Sequence, residues 1–329
     1  MMTSIPNSPI TQTPNSLKVA FFGSSKYSVI VKKALTDKFG LALVVTAPDK
    51  PSGRKRKLTP TRVKELALKN KIDVITPAKL DKTAIENITK AQPDFLVVCD
   101  YGLILPKELL KVPKYDALNV HHSLLPKYRG PTPVPSAILA GEKKSGVTII
   151  SMAEDVDAGD ILAQKEYILK EDETCNSLLT ALNTQGAQLV IDVIESYLSG
   201  SVKKIKQDSS KATFTHRLTK QDGFIDLENP PDPEKLDPMI RAYHTWPGVW
   251  SNVPSKDRST SGGKVKSEKS VIIKFLPPTI LPSHKPTDPF LIQPEGKRAM
   301  SIKEFKNGYP AIYEQIKHLF SQKVWKKLT

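Results

Sequence analysis

The feature that most constrains this chain is a regular alternation of short apolar runs with longer amphipathic stretches, which begins at residue 17. The apolar runs have the length of buried strands, and the stretches between them have the length of helices. We predict strands at 17–22, 41–46, 74–76, 95–99, 117–121, 147–151 and 164–169, and helices at 27–39, 62–71, 82–91 and 174–198. Strands that alternate with helices form parallel sheets whose faces the helices cover. The sequence therefore predicts an α/β fold over residues 17–200, with a Rossmann-like, mostly parallel sheet and helices on both faces.

The amino-acid composition and the predicted secondary structure change after this domain. Residues 201–212 are polar and are predicted to be a linker. Residues 213–310 place short β-prone segments between proline-rich turns, which is typical of a small, mainly β domain. Residues 255–269 are polar and rich in Gly, Ser and Lys, and are interpreted as a loop. Trp246 and Trp250 are interpreted as core residues of the domain, with stacking on RNA as the alternative.

The two terminal segments and the distribution of apolar residues lead to expectations about compartment and assembly. Residues 1–16 contain no Lys or Arg, unlike a secretory signal or a transit peptide, so we expect a disordered leader on a cytoplasmic protein. Apolar residues recur at every fourth position from Ile312 to Val324, which predicts an amphipathic helix over residues 311–329. Since no apolar run approaches the roughly 20 residues that cross a bilayer, we expect no membrane partner. We also expect a monomer, because no long apolar patch is evident.

The net charge of +15 is spread unevenly along the chain. Residues 201–329 hold 23 Lys and Arg against 13 Asp and Glu. A basic surface attracts polyanions such as nucleic acids. A lysine-rich surface that only keeps the protein in solution explains the same charge equally well, so charge alone does not identify the partner.

Two common cofactor classes have no support in the sequence. The first predicted strand-to-helix turn, residues 22–27, reads Phe-Gly-Ser-Ser-Lys-Tyr and lacks the GxGxxG fingerprint of dinucleotide-binding proteins. The two cysteines, Cys99 and Cys175, stand alone and match no zinc or redox spacing. We therefore expect neither NAD nor a metal.

Three polar residues at predicted strand ends form a candidate catalytic set. Asn119 and His121 are two positions apart on one strand, so their side chains point to the same face. Asp157 lies in the loop after the strand at 147–151. An amide, an imidazole and a carboxylate together suit acyl transfer to an amine without a covalent acyl-enzyme. The alternative is that Asn119 and His121 only satisfy loop backbone and that Asp157 belongs to a solvated acidic loop.

The amino-acid sequence around these residues resembles that of a known family. The segment Asn119-Val-His-His-Ser-Leu-Leu-Pro-Lys-Tyr-Arg-Gly130, with 101–106 before it and 157–160 after it, is similar to the signature of the folate-dependent formyltransferases. The resemblance implies that Asn119, His121 and Asp157 are catalytic and that the formyl donor is 10-formyltetrahydrofolate. It further implies a folate site formed by Tyr101, Gly102, Leu103, Ile104, Ser123, Leu124, Leu125 and Pro126. One departure is His122, which stands where this family usually has Gly.

Within that family the chain looks most like the methionyl-tRNA formyltransferases. The basic run at residues 46–58 resembles the loop that these enzymes insert after their second strand, and residues 214–226, 241–250 and 293–300 resemble parts of their C-terminal domain. The resemblance implies that this domain is an OB-like β-barrel, which we expect to be reduced here because residues 255–269 are more like a loop than like barrel strands. The resemblance implies transfer of the formyl group to the methionyl amino group of initiator methionyl-tRNA, for translation initiation. The tRNA contacts implied by the basic run are Arg54, Lys55, Arg56 and Lys57.

Other functions remain open at this point. A formyltransferase for an amino sugar of a nucleotide sugar would be active from residues 1–205 alone and indifferent to the basic run. An RNA-binding protein with an inactive formyltransferase fold would have a broken catalytic set, and Asn119, His121 and Asp157 argue against it. A hydrolase that attacks with water is disfavoured, because nothing resembles an appended regulatory domain.

Overall fold

Nine strands organise the first part of the chain in a computed structural model, which describes residues 17–53, 55–254, 270–280 and 288–320. The strands are β1 Val19–Phe22, β2 Leu43–Val45, β3 Lys50–Ser52, β4 Lys57–Thr59, β5 Val74–Ile75, β6 Phe95–Val98, β7 Asp116–His121, β8 Lys144–Ser151 and β9 Ile161–Ile168. β3 and β4 pair only with each other, and the other seven form one sheet in the order β5-β2-β1-β6-β7-β8-β9. The leader predicted at residues 1–16 lies outside the described residues.

The sheet is parallel from β5 to β7 and antiparallel where β8 and β9 join it. β8 and β9 are separated only by residues 152–160, and a short connection of this kind pairs strands antiparallel. The predicted α/β fold with a mostly parallel sheet is confirmed.

Helices cover both faces of this sheet. The helices between residues 17 and 200 are α1 Ser28–Phe39, α2 Arg62–Lys69, α3 Lys82–Lys90, α4 Lys107–Leu110, α5 Pro133–Leu139 and α6 Cys175–Leu198. Buried residues of α1, α2, α3, α4 and α6 belong to the core clusters on the two faces. Successive side chains of a strand point to opposite faces, so Val19 and Phe21 of β1 pack with α1, α2 and α6, whereas Ala20 and Phe22 pack with α3 and α4. A strand buried on both faces explains why β1 is apolar throughout.

Two of the helices begin at residues whose side chains cap them. The Thr61 hydroxyl accepts a hydrogen bond from the Lys64 amide, and the Asp81 carboxylate accepts one from the Ala84 amide. Each satisfies a backbone N–H group that has no partner within its helix. These caps fix where α2 and α3 start.

The chain divides into two compact units. The first consists of Met1–Pro133, Lys144–Ile168 and Leu179–His216. The second consists of Val134–Lys143, Leu169–Leu178 and Arg217–Thr329. The second unit thus includes two short segments from the region predicted as one domain, and the boundaries predicted at residues 200 and 212 stay a prediction.

A small antiparallel sheet organises the second unit. Its described elements are α7 Pro233–Ala242, β10 Val249–Pro254, β11 Ser270–Leu276, β12 Leu291–Pro294, α8 Ile302–Gly308 and α9 Pro310–Ile316. β11 lies between β10 and β12, and the rings of Phe275 and Phe290 meet edge to face with centroids 5.4 Å apart. Residues 255–269 lie outside the described residues, so the OB-like barrel stays a prediction.

One expectation for this unit is corrected. Trp246 is not a core residue, because 60% of its surface is exposed, whereas Trp250 packs edge-on against Phe224. In the described part of the predicted C-terminal helix, Pro310–Ile316 is α-helical and Lys317–Phe320 forms a 3₁₀ turn, and residues 321–329 lie outside the described residues. In a 3₁₀ turn residues three apart share a face, so Leu319 joins the buried Ile312 and Ile316.

No helix in the described part of the chain combines the length and the apolar character that a membrane crossing requires.

Candidate active site

The candidate site lies at the ends of neighbouring strands in the first unit. Asn119 and His121 occupy the last positions of β7, and Asp157 lies in the connection from β8 to β9. Ligands of open α/β sheets bind beyond the carboxyl ends of the parallel strands. The sheet therefore places the three predicted residues where chemistry is expected.

The structure brings these three side chains into contact. The Asn119 Nδ2 donates to Asp157 Oδ1 at 3.1 Å, and His121 Nδ1 lies 3.5 Å from Asp157 Oδ2. The Gly130 amide donates to the same Oδ2 at 2.8 Å. The Asp157 carboxylate therefore accepts from two donors while it faces the imidazole, and the side chains of His121 and Asp157 are only 6% and 11% exposed.

The hydrogen-bond partners of His121 indicate where its ring carries hydrogen. Nε2 lies 3.0 Å from the backbone carbonyl oxygen of Tyr128. A carbonyl only accepts, so Nε2 is assigned as the donor. A neutral ring would then turn the Nδ1 lone pair toward Asp157, whereas an imidazolium ring would donate to Tyr128 and to Asp157 at once. The carboxylate is thus placed to stabilise the protonated ring.

The loop that carries Asp157 is held in an unusual conformation. Asp157 has a φ of +52°, in the left-handed region that few residues other than Gly adopt. A Cβ atom at Gly159 would lie 1.7 Å from the Ser151 carbonyl oxygen, so the loop passes too close to β8 for any side chain there. Gly159 is required because two backbone segments touch at this position and leave no room for a side chain.

Sequence reasoning missed the side chain that ties this loop down. Gln207 Nε2 donates to the carbonyl oxygens of Asp157 and Gly159, at 2.8 and 2.7 Å. Its Oε1 accepts from the buried Arg129 guanidinium, from Nε at 3.1 Å and from a terminal nitrogen at 2.8 Å. Gln207 lies in the stretch predicted as a linker, and a polar residue there gives no signal in a single sequence.

The first predicted folate segment, residues 101–104, combines apolar side chains with several backbone groups that form no hydrogen bond in the described structure. Tyr101 is buried and packs edge-on against Phe22, with centroids 5.4 Å apart, whereas Ile104 is 74% exposed. In the described residues, the backbone N–H and C=O groups of Gly102, Leu103 and Ile104 make no hydrogen bond. Burial raises the pKa of Tyr101 to about 12. This segment offers free donors and acceptors beside exposed apolar side chains.

The second predicted folate segment, residues 123–126, is held by hydrogen bonds to side chains of β8 and β9. The Thr148 hydroxyl of β8 donates to the Ser123 carbonyl at 2.6 Å and accepts from the Leu125 amide at 3.3 Å. Gln164 of β9 donates to the Leu125 carbonyl at 3.0 Å. The fully buried Ser123 donates its hydroxyl to the Lys127 carbonyl. The turn is therefore rigid, with Leu124 and Pro126 partly exposed on it.

Beside the trio, three potential metal ligands meet at the ends of β6 and β7. Ligand atoms of Cys99, Asp100 and His122 all lie within 4.8 Å of one another. Burial lowers the pKa of His122, although the nearby Asp100 carboxylate acts in the opposite direction. Sequence spacing did not reveal this set, because His122 is 22 or more positions from Cys99 and Asp100 and meets them only in the folded sheet.

The basic run follows β2, as the resemblance implied, and its two ends pair as a hairpin. β3 and β4 pair antiparallel, and the turn between them uses left-handed backbone at Gly53 and Arg56. Arg54 lies outside the described residues. Lys55, Arg56 and Lys57 are exposed, and no carboxylate of the described residues lies within 4 Å of them. The hairpin therefore projects cations that no internal acid neutralises.

Known proteins are similar to this chain over most of its length. Residues 17–194 match the family described as formyl transferase. The methionyl-tRNA formyltransferase of Geobacillus sp. strain WCH70 is 39% identical over 302 residues, which cover 89% of this chain and 94% of that protein. The enzyme of the same name from Halalkalibacterium halodurans is 38% identical over 305 residues, covering 89% and 95%.

Solved structures share the fold at lower identity. A 4-N formyltransferase from Francisella tularensis superposes with a TM-score of 0.56 at 20% identity, over 71% of this chain and 92% of that one. A sugar N-formyltransferase from Shewanella sp. gives 0.55 at 18% identity, over 76% and 99%. At such identities the likeness concerns the fold alone.

Proposed function

Because this chain belongs to the formyl transferase family and to its methionyl-tRNA formyltransferases, we propose that it transfers a formyl group from 10-formyltetrahydrofolate to the methionyl amino group of initiator methionyl-tRNA. The single observation that carries the chemistry is the contact of Asn119, His121 and Asp157 at the end of β7. The length of the match supports the proposed tRNA substrate, since the methionyl-tRNA formyltransferases align with this chain over both units.

Asn119 is proposed to stabilise the charge that builds up on the formyl oxygen. Its amide nitrogen has two hydrogens, and one of them is held by Asp157. The second hydrogen is left to donate to a developing oxyanion. A donor fixed in advance by a buried carboxylate costs little reorganisation during the reaction.

His121 and Asp157 are proposed to handle the proton that the attacking amine loses. The Nε2 hydrogen of His121, which the Tyr128 carbonyl accepts here, would pass to the folate N10 as the bond from the formyl carbon to N10 breaks. The proton that the amine loses on forming its new bond to the formyl carbon would then replace it on Nε2. Catalytic hydrogen bonds often tighten only in the substrate complex. Asp157 holds the ring in place and stabilises its protonated form, and direct attack by the amine needs no covalent enzyme intermediate.

10-Formyltetrahydrofolate supplies the activated formyl group when bound. The fit of the site to this donor rests on Gly102, Leu103 and Ile104, whose unpaired backbone groups and exposed apolar side chains suit a flat heterocycle with several nitrogens and oxygens. We propose that Tyr101, Ser123, Leu124, Leu125 and Pro126 complete the site, the buried members by supporting the two segments.

The exposed cations of the hairpin are proposed to contact the tRNA backbone. Lys55, Arg56 and Lys57 form no ion pair with any acidic residue that the structure describes, so they are available to phosphates. Arg54 is proposed to act with them. We further propose that β10, β11 and β12 belong to a reduced OB-like barrel that binds tRNA, and that the protein works as a cytoplasmic monomer whose formyl transfer uses no metal.

The test uses the full chain, 10-formyltetrahydrofolate and initiator tRNA charged with radiolabelled methionine. Formyl-methionine should accumulate, and the His121→Ala protein should lose formylation while it keeps tRNA binding. His318→Ala is the matched control, because His318 is exposed in the second unit. Turnover of a nucleotide-linked amino sugar without formylation of the tRNA would refute the proposed substrate and leave the transfer chemistry standing.

A further inference from the structure

We propose that Cys99, Asp100 and His122 form a binding site for a divalent cation of the zinc class. The site is separate from the three residues assigned to formyl transfer and rests on no step of that reaction. Cys99 and Asp100 follow β6, and His122 follows β7. These strands are hydrogen-bonded neighbours, with Val98 opposite Asn119, so their ends bring the three residues together.

The three groups lie against one another, and two of them are buried. Cys99 is completely buried and His122 is 4% exposed. His122 Nδ1 lies 3.5 Å from Asp100 Oδ1, and the Asn183 side chain is hydrogen-bonded to the same imidazole. Three groups that can each bind a cation are thus held together with little surrounding water.

The ligand types select the class of cation. A thiolate, an imidazole and a carboxylate together suit Zn²⁺ and Co²⁺, whereas Mg²⁺ and Ca²⁺ prefer oxygen ligands only. In tetrahedral zinc sites, metal–ligand bonds of about 2.0–2.3 Å place neighbouring ligand atoms roughly 3.3–3.7 Å apart. The Nδ1–Oδ1 distance of 3.5 Å already has this spacing. The widest pair, at up to 4.8 Å, would close by about 1 Å on binding.

Two neighbouring side chains complete the environment. The buried Asn183 Oδ1 accepts a hydrogen bond from Cys99 Sγ at 3.2 Å, so an amide oxygen lies beside the thiol. The Ser25 hydroxyl donates to Asp100 Oδ2 at 2.7 Å and orients the carboxylate. Such outer partners fix the direction of metal ligands. The Asp100 side chain is 26% exposed, and a cation would enter from that side.

Cobalt is the probe, because a Co²⁺ thiolate site absorbs in the near ultraviolet and a tetrahedral one also in the visible. The chelator-treated full-length protein, free of folate and tRNA, is titrated with Co²⁺ and then with Zn²⁺. We expect one equivalent of Co²⁺ to bind with both absorptions, and Zn²⁺ to displace it. Formyl transfer is not measured, so the result is independent of the proposed function.

Variants decide which residues hold the cation. Cys99→Ser and His122→Ala should abolish the cobalt spectrum, and Asp100→Asn should weaken binding by at least about 10-fold, the loss that changes around a metal site cause. Cys175→Ser, which removes the other buried cysteine, should leave the spectrum unchanged. Near-ultraviolet circular dichroism checks that each variant folds. If the Cys99→Ser protein does not fold, the Asp100→Asn protein provides the test of the site. No cobalt absorption, an absorption that survives Cys99→Ser, or one that Cys175→Ser removes would overturn the proposal.

Discussion

The side-chain amide of Gln207 donates hydrogen bonds to the backbone of Asp157 and, two residues later, of Gly159, at 2.8 and 2.7 Å. These bonds join a segment that has no regular structure to the loop that carries the candidate catalytic carboxylate. Since Asp157 has a φ of +52°, which costs energy for a residue with a side chain, the loop needs such support from outside. Gln207 is therefore a positioning residue for Asp157.

Replacing Gln207 with Ala should lower kcat on the order of 10- to 100-fold, because small displacements of a catalytic group reduce the rate this much. The KM values for both substrates should change little, since the side chain is not placed in either binding site. Steady-state kinetics measures both. Gln188→Ala, at an exposed position of α6, should leave kcat unaltered, and an equal loss there would remove Gln207 from the mechanism.

Asp157→Asn keeps the size of the side chain and tolerates the left-handed backbone. It should lower kcat on the order of 10²–10⁴-fold, the usual contribution of general acid–base groups. Asn has one acceptor oxygen, yet two donors, from Asn119 and Gly130, point at this position. One donor would face the new amino group, so the free energy of unfolding should also fall by about 1–3 kcal/mol. Asp155→Asn in the same loop, exposed to solvent, should do neither.

Gly159→Ala tests the close approach of the loop to β8. The added methyl would lie 1.7 Å from the Ser151 carbonyl oxygen, so the loop must move and carry Asp157 with it. We expect activity to be lost and the thermal midpoint to drop. Gly308→Ala is the control, since nothing lies within 4 Å of a Cβ there. A fully active Gly159→Ala protein would contradict the geometry of the loop.

A double substitution, Lys55→Gln with Lys57→Gln, should raise the KM for tRNA and leave the KM for the formyl donor unchanged. If each lysine neutralises one phosphate, the slope of log K against log salt concentration should become shallower by about 1.5 in total. Filter binding over a range of salt concentrations measures this slope. The same change at Lys79 and Lys82, which are also exposed, is the comparison, and identical slopes for the two proteins would exclude the hairpin.

Tyr101→Phe tests a buried hydroxyl that has no hydrogen-bond partner in the described structure. Removing it should leave stability at neutral pH unchanged or raise it by up to about 1 kcal/mol. Burial raises the folded-state pKa of Tyr101 to about 12, above the value of about 10 in the unfolded chain. The folded state therefore holds more protons in this window, and wild-type stability should fall as pH rises from 10 to 12.

Denaturant unfolding at several pH values measures this loss, which should be smaller in the Phe variant. Tyr27→Phe, at a partly exposed tyrosine of the same unit, is the control. A parallel loss in wild-type and Tyr101→Phe proteins would show that other groups titrate instead.

The parts of the site that follow a short-range rule could be predicted from the sequence. Asn119 and His121 share a face because strand side chains alternate, and the parallel core follows from apolar runs such as 95–99. The position of Asp157 was predicted only as a loop after a strand, and its contacts with both partners came from the fold.

The parts that depend on long-range contacts could not be predicted. Nothing local distinguishes Gln207 from other linker residues, and Cys99 and His122 are joined only by the pairing of β6 with β7. The basic run lacks the alternation of a strand, yet it forms a hairpin whose two strands stay exposed. Trp246 shows that an aromatic residue alone does not mark a core position.

The link from Gln207 to Asp157 also determines when the site can form as the chain is made. Asn119, His121 and Asp157 are all present once residue 157 has been added, but the bonds to Gln207 close a loop of 50 residues and need that residue in place. Closing such a loop comes with a loss of chain entropy, which the packed sheet must outweigh. A nascent chain that ends at residue 205 would contain every candidate catalytic side chain and still lack the hydrogen bonds that hold the Asp157 loop, so the site is complete only once residue 207 has been added.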